Sequence, residues 1–139
     1  MRSGFFAAAA LVTLPLLVAG CGGIVDPSSN QVETFTGQIA VGGRSVHGFS
    51  ASKTGEISVK ITALSPASSN TFVGIVWTGR ASDGTCNGQL GALFGQNNLA
   101  QLNVPAISAR ILQGGYCLTL FDVGSFTTTT SYTVTVSHP

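Results

Sequence analysis

The sequence contains few charged residues and is balanced in their sign. Charged side chains make up 8% of the 139 residues, with six Lys and Arg against five Asp and Glu. A chain with so few basic residues carries no electrostatic footprint for nucleic acid or for an anionic membrane surface. Because 44% of the residues are apolar, a wholly disordered chain is also excluded, since that class combines low hydrophobicity with high net charge.

Recognisable motifs for catalysis, metal binding and phosphate binding are missing as well. There is no Gly-x-Ser-x-Gly motif, and neither histidine has a Cys or His partner at zinc-ligand spacing. The glycine-rich stretch 84–95 precedes no helix or lysine that would complete a phosphate loop. We predict that His47 is partly buried with a satisfied ring nitrogen and that His138 is a chain-end residue. We expect no catalytic residues, no metal site and no cofactor.

Cysteine is scarce, and the number of cysteines is odd. Residues 17–21 read Leu-Val-Ala-Gly-Cys, which resembles the lipobox of bacterial lipoproteins, where the cysteine becomes the lipidated first residue of the mature protein. Assigning Cys21 to lipid leaves Cys86 and Cys117, and a single pair in an exported protein indicates a disulfide. Two unrelated buried thiols are the alternative. The bond would close a loop of about 32 residues and stabilise the fold by about 3.5–4 kcal/mol.

Residues 1–20 have the order of a secretory signal, with Arg2 before an apolar run, Phe5 to Val18, and then Ala19-Gly20. An uncleaved membrane anchor is the alternative. The run is shorter than the ~20 residues that a spanning helix needs, and Pro15 interrupts it. Cleavage would remove one basic residue and leave a mature chain that is formally neutral.

The lipobox resemblance also implies a location. Three acyl chains hold such proteins stably at a membrane, whereas one anchors weakly. Gly22 rather than Asp follows the cysteine, and in the bacterial sorting rule this implies the outer membrane of a two-membrane cell. Residues 21–32 are rich in Gly, Ser and other turn formers, so we predict a flexible tether of at most about 35 Å.

The remaining residues, 33–139, alternate between apolar and polar side chains with turn signals between the runs. The clearest strand covers 56–64, where Ile57, Val59, Ile61 and Ala63 are predicted to share one face. Further strands are predicted over 34–39, 46–51, 72–77, 89–95, 116–122 and 131–138. About eight short strands without a helical stretch predict an all-β, antiparallel sandwich.

Two of these segments are less regular. The near-continuous apolar run 72–77 suits a central strand that is covered on both faces. Residues 100–112 have no clear period, although Pro105 and the β-branched Ile107 and Ile111 argue against a regular helix.

The domain resembles bacterial pre-peptidase C-terminal domains and their relatives. The resemblance lies in Phe35-x-Gly37, His47-x-Phe49 and the alternating run from Gly55 to Ile61, and in Gly115-Tyr116-Cys117-Leu118, Asp122-x-Gly124 and Tyr132-x-Val134-x-Val136. It implies a jelly-roll β-sandwich of the kind appended to secreted hydrolases. There such domains act as accessory or binding modules, and some bind calcium or a polymeric substrate. This chain is poor in the acidic clusters that the calcium-binding members use.

Three residues are candidates for binding. Trp77, the only tryptophan, is either a sugar-stacking platform or a core residue. Asp83 and Asp122 are predicted to approach one another through the Cys86–Cys117 link, where they either bind calcium weakly or cap turns. The threonines of 127–130 are expected to form a solvated loop.

We therefore expect a lipid-anchored, exported binding module for envelope polysaccharide or another envelope protein. A purely structural envelope lipoprotein is the second hypothesis, and an accessory or catalytic part of a hydrolase system is the third. An exposed aromatic residue or a concave sheet face would favour the first hypothesis. A surface of only Thr, Ser and Gly would favour the second, and a deep pocket with His47 beside an acid would favour the third.

Overall fold

The computed structural model describes residues 29–86 and 92–139, which form eight β-strands. The predicted signal segment 1–20, the predicted lipidation site Cys21 and the predicted tether up to residue 28 lie outside the described residues. The strands are β1 Gln31–Ile39, β2 Arg44–Ala51, β3 Gly55–Ser65, β4 Val73–Gly79, β5 Leu93–Ala100, β6 Pro105–Ile111, β7 Gly114–Asp122 and β8 Thr130–His138. In this part of the chain, no helix is long and apolar enough to cross a membrane.

The strands form two four-stranded antiparallel sheets that pack face to face. The first sheet has the order β1-β8-β3-β6 and the second the order β2-β7-β4-β5. Consecutive strands mostly fall in opposite sheets, which is the jelly-roll arrangement. The predicted all-β, jelly-roll-like sandwich of about eight strands is therefore confirmed.

The core lies between the sheets and is built by period-two alternation. Ile57, Val59 and Ile61 point inward from β3, as predicted, and are buried. Tyr116, Leu118 and Leu120 of β7 and Tyr132, Val134 and Val136 of β8 do the same from the other strands. Ala63 was predicted on this face and is exposed instead. The reason is a bulge between Ile61 and Ala63, which shifts the pairing of β3 with β8 by one residue.

Strand positions differ from the prediction where bulges or glycines break the alternation. β4 lies inside its sheet, between β7 and β5, as the apolar run predicted. β5 covers Leu93–Ala100, and residues 89–91 of the predicted strand lie outside the described residues. The weakly patterned segment 100–112 contains β6, which pairs with β3 through another bulge. The expected absence of a regular helix in this segment is confirmed.

The first strand begins earlier than the sequence predicted. Gln31 already pairs with His138, so β1 starts inside the segment that was assigned to the tether. The side chain of Asn30 donates to the carbonyl of Glu56 at 3.3 Å. The chain is therefore held against the first sheet from residue 30 onward.

Candidate functional site

The outward face of the first sheet is covered mainly with hydroxyl groups, and we call it the hydroxyl face. Strand registry places short polar side chains side by side across β1, β8, β3 and β6. Its Ser and Thr residues are Thr34, Thr36, Ser58, Thr62, Ser65, Ser108, Ser131, Thr133, Thr135 and Ser137. Glu56, Lys60 and Arg110 are its charged members. No outward position on these four strands holds a glycine or an aromatic residue.

The outward face of the second sheet contains a concave region that we call the outer groove. It has a volume of about 500 Å³ and is lined by Gly42, Gly43, Arg44, Val76, Thr119, Phe121 and Asp122. Registry explains why these residues meet. Arg44 lies opposite Phe121, which lies opposite Gly74, and the next row contains Thr119 and Val76.

Phe121 forms the apolar floor of the outer groove. Its side chain points away from the core because Leu118 and Leu120 take the inward positions of β7. The ring packs over Gly74 of β4, and a Cβ atom at Gly74 would overlap the ring. Glycine at this position therefore lets a half-buried aromatic ring lie against the sheet. Such a ring can pack against the apolar face of a ligand.

Arg44 supplies the only cationic side chain lining the outer groove. It is exposed, and among the described residues its guanidinium makes no hydrogen bond or ion pair. Thr119 places a hydroxyl one row further along the sheet. The groove therefore combines an apolar floor with a five-donor guanidinium fork and a hydroxyl, a combination that suits a hydroxylated or acidic ligand.

Asp122 lies at the rim of the groove, and its carboxylate caps two turns. One carboxylate oxygen accepts from the backbone N–H of Gly42 at 2.8 Å, and the other accepts from Gly124, Ser125 and Phe126 at 2.8, 2.9 and 3.1 Å. Burial alone would raise the pKa of Asp122, but the four N–H donors outweigh it and hold the pKa below its ordinary value.

The disulfide covers the opposite end of the same sheet face. Cys86 is bonded to Cys117, so the predicted pairing is confirmed. Arg80 lies beneath this loop and donates to the carbonyls of Phe49 at 3.2 Å and Tyr116 at 3.5 Å. Side chains at Gly48 or Gly115 would crowd Arg80. Glycines thus make room for this loop, as Gly74 does for Phe121.

Trp77 belongs to the core and is not an exposed sugar platform. Its side chain is 2% exposed and packs against Phe94 and Tyr116, with ring centroids 5.4 and 5.5 Å apart. Its indole Nε1 has no hydrogen-bond partner among the described residues. Of the two possibilities that the sequence left open, the core role is the one that the structure supports.

Asp83 and Asp122 lie at opposite ends of the second sheet, so the prediction that they approach one another is wrong. Asp83 sits in the loop beside the start of β7, where its carboxylate accepts from the N–H of Thr85 at 2.9 Å and from its hydroxyl at 2.7 Å. The backbone N–H of Thr85 is the main cause that lowers the pKa of Asp83. Asp122 ends the same strand five residues beyond Cys117, about 17 Å further along. Both carboxylates cap turns, and 29–86 and 92–139 contain no group of three or more His, Cys, Asp or Glu placed to hold a metal ion.

The histidines have structural roles in the described part of the chain. His47 is half-buried, stacks on Phe35 and has Nε2 2.5 Å from the hydroxyl of Tyr132, which confirms the predicted satisfied ring nitrogen. Burial lowers the pKa of His47. The hydrogen-bond partner of the His47 ring is the phenol of Tyr132 and not an acid. The pairing of His47 with an acid, which would favour a hydrolase, is therefore not formed there. His138, predicted as a chain-end residue, is the last residue of β8; it is fully buried, and its Nε2 donates to Glu33 at 2.8 Å.

Sequence reasoning missed the two residues that dominate the groove, Arg44 and Phe121. A signal for Phe121 was present, because the inward assignment of Tyr116, Leu118 and Leu120 leaves it outward. The glycine within the apolar run of β4 was the matching signal on the neighbouring strand. The threonine segment 127–130 is a loop only up to residue 129, since Thr130 begins β8 and is buried.

A second cavity at the same end of the sandwich has fewer kinds of side chain that could bind a ligand. It measures about 520 Å³ and is lined by Leu64, Ala67, Ser68, Ser69, Thr71, Gln101 and Leu102. It contains no charged and no aromatic side chain. The outer groove is therefore the stronger candidate for a binding site.

The chain matches no family model and no curated protein sequence. Among solved structures, it is similar to the crystal structure of PliG from Aeromonas hydrophila, a periplasmic lysozyme inhibitor of g-type lysozyme. The two chains share 15% identity over 79% of this chain and 88% of that one, with a TM-score of 0.48. A likeness at this level says nothing about function.

Proposed function

We propose that this protein is a non-catalytic binding module of the bacterial cell envelope and that its outer groove binds a polysaccharide chain. The observation that carries the proposal is the outward Phe121 ring, packed over Gly74 beside the guanidinium of Arg44, which has no partner within 29–86 and 92–139. A sugar ring presents an apolar face for the aromatic floor, and its hydroxyl or carboxylate oxygens can accept from the guanidinium. The groove is open to solvent, so a polymer chain can lie across it.

The envelope location is part of the same proposal. The sequence 17–21 and the apolar run before it support export and lipidation at Cys21, and absence of Asp after the cysteine supports the outer membrane. The Cys86–Cys117 bond fits an oxidising compartment and leaves Cys21 free for a lipid. Membership of the pre-peptidase C-terminal group, with an accessory role beside a hydrolase, stays a prediction.

The anchor is tested by the intact mass of the protein purified from its native membrane. We expect a chain that starts at Cys21, carries added acyl mass and gains two mass units on reduction. A retained leader or an unacylated Cys21 would overturn the lipoprotein part of the proposal and leave the groove untouched.

Groove binding is tested with two probes, purified peptidoglycan sacculi in a sedimentation assay and soluble O-polysaccharide in calorimetry. Replacing Phe121 by Leu keeps an apolar side chain over Gly74 but removes the aromatic face, and we expect affinity to fall at least about tenfold. Arg44→Ala should weaken binding similarly. Arg110→Ala is the matched control, because Arg110 is an exposed arginine on the hydroxyl face. Equal effects of the two arginine variants, or binding of neither polysaccharide, would refute the site.

A purely structural envelope protein is the second candidate, and the hydroxyl face is the observation that favours it. That face carries the Ser- and Thr-rich surface expected of a domain whose role is its fold. A protein that is anchored in the envelope but binds neither polysaccharide would support this candidate.

A further inference from the structure

β5 differs from the other three edge strands of the sandwich. Edge strands expose unpaired backbone groups, and proteins usually protect them with charges, prolines or bulges. β1 contains Glu33, β2 contains Arg44, and β6 contains Pro105 and Arg110. β5 contains no charge and no proline, and within the described part of the chain it has two bulges, Gly95, and an Asn97 side chain that donates to the carbonyl of Ala106 at 2.9 Å.

The flank around β5 is also the most apolar part of the described surface. Six of the nine exposed large hydrophobic residues in 29–86 and 92–139 fall between 93 and 112. Leu93, Phe94 and Leu99 of β5 are 59%, 49% and 67% exposed. The sequence has no charged residue anywhere from 84 to 109. An uncharged apolar edge of this kind is suited to pairing with another strand.

The two bulges arrange the outward side chains of β5 symmetrically. Leu93 lies opposite Thr78 and Gln96 opposite Val76, both outward positions of β4, and Leu99 follows in the second bulge. Leucines therefore stand three residues before and three residues after Gln96. An antiparallel copy of the strand, centred on Gln96, would place each Leu93 beside the other copy's Leu99, which is a favourable cross-strand pair.

We propose that a second copy of this chain pairs with β5 across a two-fold axis at Gln96. The two sheets β2-β7-β4-β5 then become one eight-stranded antiparallel sheet. The other edge strands are less suited to self-pairing, because each contains at least one charged residue and β6 also contains a proline. β5 contains neither.

This arrangement has a consequence for binding that depends on the proposed function, although the pairing itself does not. A two-fold axis between antiparallel neighbours stands perpendicular to the sheet, so both outer grooves lie on the same side of the dimer. Two sites on one face can hold one polymer together, which raises its overall affinity without a new contact.

The pairing is tested with Gln96→Cys in the full-length protein on intact cells, using a short bis-maleimide. Directly paired residues have Cα atoms about 4.5–5.5 Å apart, which a short cross-linker spans. We expect a product of two copies at a yield at least about fivefold above Thr34→Cys, the matched control on edge strand β1. A yield no higher than this control, or a product containing only a different protein, would overturn the proposal.

A second variant tests the strand itself. Leu99→Lys places a cation against the other copy's Leu93, and we expect the Gln96→Cys cross-link to fall at least about fivefold. Leu99 is largely exposed, so the variant should keep the wild-type unfolding midpoint. An undiminished cross-link in a folded variant would place the contact elsewhere and refute this register. Cross-linking without polysaccharide binding would refute only the proposed function of the groove. Polysaccharide binding without cross-linking would refute only the β5 pairing.

Discussion

The two outward faces of this sandwich are both formed by four antiparallel strands, but they differ in side-chain size and in the positions of glycine. The hydroxyl face consists of short polar side chains at alternate positions, and no glycine lies among its outward positions. The other face has Gly74, where a side chain would overlap Phe121, and Gly48 and Gly115, where a side chain would crowd Arg80. Glycine in a strand usually weakens it, so three on one face indicate close approach of other groups. Large side chains packed over glycines are therefore found on one of the two outward faces, the face that contains the outer groove.

The largest expected effect comes from filling the space beneath Phe121. Gly74→Ala would push the ring out of the groove floor, and we expect a loss of about 2 kcal/mol in the free energy of unfolding. Polysaccharide binding should fall together with stability. Gly79→Ala is the matched control on the same strand, because a methyl group there makes only ordinary contact with Phe94. Denaturant unfolding of both variants measures their free energies of unfolding. Equal losses of stability would show that the packing of Phe121 does not require glycine at position 74.

The fold was predictable where alternation is unbroken, as in Ile57 to Ile61 and in Tyr132 to Val136. It was not predictable at bulges, because one extra residue reverses the face of all that follow, as at Ala63. The second half of β5 and all of β6 were obscured for this reason.

The groove was harder to predict than the fold. Its residues come from the 40–43 turn and from three strands, β2, β4 and β7, and their proximity depends on strand order, which a single sequence does not reveal. The error over Asp83 and Asp122 has a related cause. The disulfide links the Asp83 loop to Cys117, but Asp122 lies further along the same strand. The burial of His138 was not predicted, because it depends on β1, which pairs with the end of β8.

A smaller effect is expected at the rim of the groove, where Asp122 connects two turns. Asp122→Asn keeps the shape but removes the charge that accepts four N–H bonds, and we expect a loss of about 1–2 kcal/mol at pH 7. Because the pKa of Asp122 is lowered in the folded protein, its contribution is complete above its ordinary value and is lost as pH falls through the folded value. The stability gap between wild type and variant should therefore begin to narrow below about pH 4.

Unfolding curves recorded from pH 7 down to pH 3 measure that gap. Glu56→Gln serves as the control on the hydroxyl face, where the carboxylate caps no turn, and should change stability by less than about 0.5 kcal/mol at any pH. A gap that stays constant with pH would mean that the Asp122 charge is not what the four N–H groups require.

The smallest effect is expected on the hydroxyl face, where substitutions should change stability little and leave binding unchanged. Replacing both Thr34 and Thr36 by Ala removes two outward hydroxyls of β1 whose loss leaves no buried group unpaired. We expect a cost of about 0.5 kcal/mol or less per site, because threonine favours the strand modestly over alanine. Binding of sacculi and of O-polysaccharide should be unchanged, since these residues lie on the face opposite to Phe121 and Arg44. If binding fell here and persisted in Phe121→Leu, the hydroxyl face would be the recognition surface, and the opposite face would serve only to seat the disulfide loop.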